Sequence, residues 1–193
     1  MKLFPFYSLC ILFICSCESK EKIKQIEQMT KMIKETDSLN RIFEKNKLDS
    51  TAEYQLAANT CMLRLKSNYK PTKVDLVFGK KVDEFKELQM LFVKEKEENK
   101  RTLSGQSMVI ANSIREEQQA LYNLKMDIES GRGDKKMYDE FITFEQSKVN
   151  TIKVLLQQYL IGKNKYLPRF LKSVKELNDF MDKWEKENMP KKN

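Results

Sequence analysis

The sequence predicts an all-α protein: an antiparallel up-down helical bundle of about four core helices, preceded by one or two N-terminal helices. Apolar residues recur at three- and four-residue steps along nearly all of the 193 residues, which is the period of an α-helix. No segment shows the strict alternation typical of a strand, and no repeat of 20–50 residues is visible. The last four predicted helices have similar lengths and short connections, which favours antiparallel neighbours.

The first sixteen residues, MKLFPFYSLCILFICS, predict an export signal that the mature protein lacks. Lys2 supplies the positive charge at its start. The apolar stretch 3–14 has the length of a signal peptide and is too short to span a bilayer. Cleavage after this signal leaves 177 residues, enough for one domain with a real core.

The end of the signal reads Ile14-Cys15-Ser16-Cys17 and resembles the lipobox of bacterial lipoproteins. In that family a branched apolar residue and a small residue precede the cysteine that carries the lipid. The resemblance implies cleavage before Cys17, a diacylglyceryl group on its sulfur and acylation, for example by palmitate, of its new amine. The polar segment 17–22 then forms a short tether. An ordinary secretory signal or an N-terminal membrane anchor is the alternative.

Residues 23–70 predict two N-terminal helices that either pack along the bundle or form a stalk rising from the membrane. The apolar stripe of the first comprises Ile23, Ile26, Met29, Ile33, Leu39, Ile42 and Phe43. The Thr-Asp-Ser segment 36–38 is a place where this helix could bend or restart. The second helix opens at the cap-like cluster 49–51 and closes at Pro71, because the residue before proline avoids helical geometry.

Residues 71–188 predict the four-helix bundle. Its helices are expected to start near Val74, Gly105, Asp134 and Pro168, and the middle two to end at Gly131 and Gly162. The mixed-charge block 94–101 is interpreted as a solvated helix end. The tail 189–193 is expected to fray. A sustained heptad pattern would instead indicate a coiled-coil homo-oligomer.

The charge balance is basic, at +8, and falls to about +7 without the signal, which carries only Lys2. A basic protein suggests nucleic acid as a partner, but an exported one rarely meets it, so we expect no nucleic-acid partner. Weak attraction to anionic headgroups or acidic polymers fits better. The simpler explanation of the positive charge is that lysine-rich helix faces only keep the protein surface soluble.

The chain contains no histidine, which excludes histidine-ligated zinc, the Ser-His-Asp triad, c-type haem attachment and Glu-x-x-His di-iron bundles. Its five glycines form neither a P-loop nor a dinucleotide-binding motif. Cys61 is the one cysteine left besides Cys17 in the mature chain, and we interpret it as a small buried apolar residue. We therefore expect no catalytic residue, no cofactor and a non-enzymatic protein.

Two glutamates interrupt the apolar stripes of the fourth and fifth predicted helices. Glu117 lies between Ile114 and Leu121, and Glu145 occupies the corresponding place in the next helix. The two are nearly equidistant from the turn near Arg132, so an antiparallel hairpin brings them to one level of the core. Such a pair shares a proton, binds a cation or takes a Lys or Arg partner. A metal or small-ligand site and a polar layer that fixes helix register both remain open.

The turn between these helices reads Gly131-Arg132-Gly133-Asp134. Arg132-Gly133-Asp134 is the tripeptide that integrin ligands display, and an exposed hairpin tip suits display. The same residues serve helix termination and capping, which is the simpler interpretation.

The whole chain resembles the small helical lipoproteins of Bacteroidetes-type bacteria, with a lipobox, about 190 residues, lysine-rich helices and few prolines. The resemblance is specific only over residues 1–20. It implies an extracytoplasmic, lipid-anchored protein at the outer membrane, on its periplasmic or surface face, and implies no catalytic residue.

Three functions follow as hypotheses. The first is a non-enzymatic envelope protein whose bundle binds a protein partner or has a structural role. The second is a small-ligand or metal-binding bundle that uses Glu117 and Glu145. The third is a wall-active hydrolase, against which the short loops argue because they leave little cleft for a glycan.

Overall fold

A computed structural model of the chain describes residues 5–48, 51–71, 73, 75–92 and 102–188, with side chains from residue 20 onward except at 51. Its α-helices are α1 (Pro5–Asn46), α2 (Thr51–Asn68), α3 (Leu76–Met90), α4 (Leu103–Ser130) and α5 (Tyr138–Asn188), with a 3-10 helix at Lys135–Met137. This part of the chain contains no strand, and α4 packs on both α1 and α5, so the predicted all-α helical bundle is confirmed. The predicted charged block 94–101 and tail 189–193 lie outside the described residues.

α1 is continuous where the sequence predicts interruptions. It runs through the predicted tether 17–22 and through the segment 36–38. Thr36 Oγ1 donates to the Met32 carbonyl at 2.9 Å, so the hydroxyl is satisfied within the helix. Asp37 Oδ1 accepts from Gln118 Nε2 of α4 at 2.8 Å. Neither polar group needs a break in the helix, and no restart occurs there.

The packing of α1 on α4 decides between the two expectations for the first helix. Met29, Met32 and Phe43 of α1 are buried, whereas Ile23 and Ile42, which the predicted stripe included, are exposed. From residue 25 onward α1 thus belongs to a packed body, and the stalk is wrong for this stretch.

The fifth and sixth predicted helices are a single helix, α5, of 51 residues. Gly162 does not end this helix. The absence of a side chain at this position instead allows Leu103 of α4 to pack closely against α5. A Cβ there would come within 3.2 Å of Leu103 Cδ2 of α4. Pro168 lies inside the helix rather than at a first turn. Proline at this position costs the helix one backbone hydrogen bond. The burial of Phe170 and Leu177, further along the same helix, offsets this cost.

The chain divides into two compact units, each assembled from segments far apart in sequence. Unit 1 consists of Met1–Lys45 with Ala111–Leu156, and unit 2 of Asn46–Ile110 with Gln157–Asn193. This grouping differs from the predicted one, in which 23–70 preceded a bundle formed by 71–188. The physical reason is that α4 and α5 are long enough for each to contribute to both units.

Unit 1 has an apolar core to which α1, α4 and α5 all contribute. Its buried members include Met29, Met32, Leu39, Phe43, Ile114, Leu121, Ile128, Ile142, Val149 and Ile152. Polar contacts fix the register of α1. Lys22 Nζ donates to the Glu129 carbonyl at 2.6 Å, and Gln25 Nε2 donates to Asp139 Oδ1 at 2.9 Å.

Unit 2 contains a cluster of packed aromatic rings and an arginine that joins α2 to α5 by hydrogen bonds. Phe78 and Phe180 stack with centroids 3.8 Å apart, and Tyr69 packs on both Phe180 and Trp184. Arg64 Nε and Nη2 donate to the two oxygens of Glu185 at 2.8 and 2.6 Å, and Nη2 also reaches Asp182 at 2.5 Å. These rings therefore serve as packing groups within unit 2.

Candidate functional site

The turn between α4 and α5 sets the level at which their side chains meet. Gly131 and Gly133 have φ values of +65° and +83°, the left-handed region in which a side chain is strained. Asp134 caps the following 3-10 helix by accepting from the Lys136 amide at 3.0 Å. The Tyr138 hydroxyl, which can donate its one proton to either the Asp127 or the Arg132 carbonyl, fastens the start of α5 to this turn.

This hairpin brings the two predicted glutamates to one lysine of α5. Lys148 Nζ lies 2.9 Å from Glu145 Oε2, one turn earlier in the helix, and 3.9 Å from Glu117 Oε2 of α4. The ammonium also lies 4.5 Å from the centre of the Phe144 ring. The pair thus has a Lys partner, and a side-chain hydrogen bond between the two carboxyl groups also raises the pKa of Glu117.

The two carboxylates are unequal in their surroundings. The Glu117 side chain is 3% exposed, and its Oε1 has no hydrogen-bond partner among the described residues. The pKa of Glu117 is raised to about 7, first by burial and then by the charge and a side-chain hydrogen bond of Glu145, whereas Lys148 lowers it. Glu117 therefore exchanges a proton near neutral pH.

A cavity of about 240 Å³ opens to solvent beside these groups. Its lining comprises Ser113, Glu116, Glu117, Phe144, Ser147, Lys148, Thr151, Ile152 and Leu155. All of these residues belong to the α4 and α5 segments of unit 1. The cavity thus combines a buried carboxylate, an ammonium, hydroxyl groups and apolar side chains in one place.

The residues at this site fit a divalent metal poorly. Among the described residues no three His, Cys, Asp or Glu side chains are grouped so that they could hold a metal ion. Lys148 also places a positive charge where a metal bound between Glu117 and Glu145 would lie. Calcium takes six to eight oxygen ligands, so two carboxylates that already contact an ammonium do not provide enough ligands for it.

The tripeptide Arg132-Gly133-Asp134 is exposed, as an adhesion motif would require. Its aspartate is already used, because Asp134 Oδ1 accepts from the Lys136 amide. The Arg132 amide donates to the Asp127 carbonyl at 2.9 Å, in the manner of a helix C-terminus. Helix termination and capping account for these residues, and adhesion stays a prediction.

The structure describes the side chain of Cys61 but only the backbone of Cys17. Cys61 is 1% exposed, and burial raises the pKa of its thiol, so the interpretation as a buried apolar residue is confirmed. Cys17 belongs to the backbone of α1, while its side chain lies outside the described residues. None of the described helices is long and apolar enough to cross a membrane.

Sequence reasoning missed Lys148 and the hydroxyl groups of the cavity. Lys148 follows Glu145 by three residues, a spacing that places the two on one helix face and could have indicated the pair. Ser113, Ser147 and Thr151 carry no such signal, because isolated hydroxyl residues occur on any solvated helix.

Comparison with protein-family models, with curated proteins and with solved structures found no significant match. The function is therefore argued from the residues of this chain.

Proposed function

We propose that this protein is a lipid-anchored component of a bacterial cell envelope, with a non-enzymatic binding or structural role. The observation that supports the proposal is the sequence Ile14-Cys15-Ser16-Cys17, which resembles a lipobox and stands directly before a polar segment. Two or three acyl chains on Cys17 give stable membrane binding, whereas one chain alone binds only marginally. Among the side chains that the structure describes, which begin at Lys20, the first buried one is that of Gln25. A short polar stretch of α1 thus lies between the proposed lipid and this residue.

A binding role agrees with the chemistry that the chain contains. Without histidine, the chain lacks the side chain whose unperturbed pKa suits general acid–base catalysis at neutral pH. The helices instead expose large apolar side chains among their charges, for example Leu56, Leu63 and Met126, and such side chains suit the core of an interface with a protein partner. A homo-oligomer through these surfaces is an alternative form of the same role.

The anchor is tested with two neighbouring cysteines. Cys17→Ala removes the proposed lipid site, while Cys15→Ala changes a position that the lipobox leaves free. We expect incorporation of labelled palmitate and membrane fractionation in the wild type and Cys15→Ala, and loss of both in Cys17→Ala. Inhibition of signal peptidase II should likewise raise the mature mass. An unchanged mass and fractionation in Cys17→Ala would contradict the proposal.

The partner is tested by crosslinking intact envelopes before purification of the lipidated protein. Recovery of one envelope protein in stoichiometric amount, lost when Cys17→Ala releases the chain from the membrane, supports the first role.

A second candidate function is the binding of a small molecule in the cavity beside Glu117. The observation that favours it is the buried Glu117 Oε1, which lacks a hydrogen-bond partner among the described residues and lines a cavity of about 240 Å³. Native mass spectrometry of the purified protein tests this candidate through the mass of any bound molecule.

A further inference from the structure

The cavity between α4 and α5 has an unbalanced charge at its buried end. Glu117 and Glu145 together carry two negative charges when ionised, and Lys148 supplies one positive charge against them. Lys148 lies closer to Glu145, at 2.9 Å, than to Glu117, at 3.9 Å. Glu117 is therefore the carboxylate with the more distant ammonium, in a position where water reaches only 3% of the side chain. Glu117 Oε1 and Glu145 Oε2 both lack a hydrogen-bond partner among the described residues.

The unsatisfied atom tells what kind of group is missing. An ionised carboxylate is an acceptor only, so the partner of Glu117 Oε1 has to donate a hydrogen bond. Below a pH of about 7 the proton on Glu117 takes this place, because the pKa of this carboxyl is raised to about 7, chiefly by burial. A cation that donates hydrogen bonds would supply both the positive charge and the donor that this position lacks.

The remaining lining distinguishes an organic cation from a metal ion. The Thr151 hydroxyl donates to the Ser147 carbonyl at 3.0 Å, which leaves its lone pairs as acceptors. Three donors on a primary ammonium need only about three acceptors, which Glu117 and the hydroxyl groups can provide. The apolar side chains of Phe144, Ile152 and Leu155 cannot ligate a metal ion but can pack against a hydrocarbon chain.

We propose that this cavity binds a small primary amine, whose ammonium group donates to Glu117 Oε1 and whose hydrocarbon part lies against Phe144, Ile152 and Leu155. The inference rests on the second candidate function and names the class of molecule for it. The exposed Glu116 at the cavity adds negative charge that attracts the amine. Lys148 lies closer to Glu145 than to Glu117, so it compensates Glu145 more fully and leaves more of the Glu117 charge to the ligand.

The test compares pentylamine with pentan-1-ol, two molecules of equal chain length that differ in the charged group. Isothermal titration calorimetry is done at pH 8 on the purified full chain in detergent. We expect pentylamine to bind and pentan-1-ol to bind at least tenfold more weakly. Because the amine has to replace a proton on Glu117, its affinity should fall about tenfold per pH unit below pH 7.

Two variants assign the binding to this carboxylate. Glu117→Gln keeps the shape but removes the charge, and should abolish pentylamine binding. Glu140→Gln removes an exposed charge of α5 outside the cavity and should leave it intact. Circular dichroism and thermal unfolding establish that Glu117→Gln is folded, which we expect because it removes a desolvated charge.

Each other outcome overturns the proposal. Equal binding of the alcohol means that charge is not recognised, and binding that survives Glu117→Gln places the amine elsewhere on the surface. Absence of pentylamine binding in the wild type refutes the amine class. If pentylamine does not bind but native mass spectrometry finds another bound molecule, the cavity remains a candidate binding site for that molecule. If native mass spectrometry finds no bound molecule either, both the amine proposal and the second candidate function are refuted.

Discussion

Glu117 Oε2 lies 3.9 Å from Lys148 Nζ, so that the buried carboxylate is attracted by an ammonium which it does not hold in a short hydrogen bond. The same ammonium is held at 2.9 Å by Glu145. One lysine thus compensates two carboxylates incompletely. The incomplete compensation makes the stability of unit 1 sensitive to pH and to the charge at these three positions.

The free energy of unfolding should fall as the pH rises from about 4.5 to about 7, because of Glu117. The carboxyl has its ordinary pKa near 4.5 when unfolded and about 7 when folded, so the folded chain binds more protons between these values. The loss is on the order of 3 kcal/mol and is complete above pH 7. Urea unfolding of the wild type and Glu117→Gln from pH 4.5 to 8 measures the difference. Parallel profiles of the two proteins would refute the assignment.

Replacing Lys148 by methionine should destabilise the protein at pH 8 and do little at pH 4.5, where Glu117 is protonated even without its partner. We expect a decrease of about 1–2 kcal/mol at pH 8, since Lys148 is 42% exposed and water screens part of the loss. Lys172→Met is the control, because this lysine is 77% exposed and its ion pair, with Glu176 at 3.7 Å, lies at the surface. A loss of equal size in both variants at pH 8 would show that the Glu117 site is not involved.

Two glycines within helices should respond differently to substitution by alanine. Gly79→Ala should raise the free energy of unfolding by about 0.5–1 kcal/mol, because a Cβ there meets no atom within 4 Å and alanine favours the helix. Gly162→Ala should give a smaller gain or a loss. Its Cβ would press on Leu103, which is 3% exposed and has little room to move. Equal gains in urea unfolding would mean that α5 does not need the close approach.

Arg64→Lys should lower the melting temperature by about 2 °C at neutral pH, since lysine cannot donate to both oxygens of Glu185 at once. Hydrogen bonds from Arg64 and then Asn68 lower the pKa of Glu185 to about 2. The stabilisation is therefore present above pH 4.5 and is lost as the pH falls towards 2. Arg169→Lys is the control, because the contact of Arg169 with Glu84 is solvent-exposed on both sides. Calorimetry that finds equal shifts for both variants would contradict the prediction.

The position of the glutamate pair could be predicted because it depends on local signals alone. Gly131, Gly133 and Asp134 fix the turn, and counting outward from a fixed turn places Glu117 and Glu145 at one level. The cavity beside them could not be predicted, because its volume depends on how two helices pack rather than on residue spacing.

The division of α5 into two helices was wrong for a related reason. Gly162 and Pro168 are strong local signals for helix ends, but tertiary packing decides whether such signals are used. The contact of Gly162 with Leu103, 59 positions earlier in the chain, is invisible to any pattern within α5.

The hydrogen bond between Gln25 and Asp139 joins residues 114 positions apart, and the other partners of α1 in unit 1 also come from the second half of the chain. The segment up to Lys45 consequently has no partner in unit 1 until Ala111 has been synthesised, 66 residues later, and its partner segment is complete only at Leu156, 111 residues later. A nascent chain of this kind stays open during translation. If the protein is exported as we propose, this open state is the one in which the chain can be threaded through a secretion channel, and unit 1 would assemble on the far side.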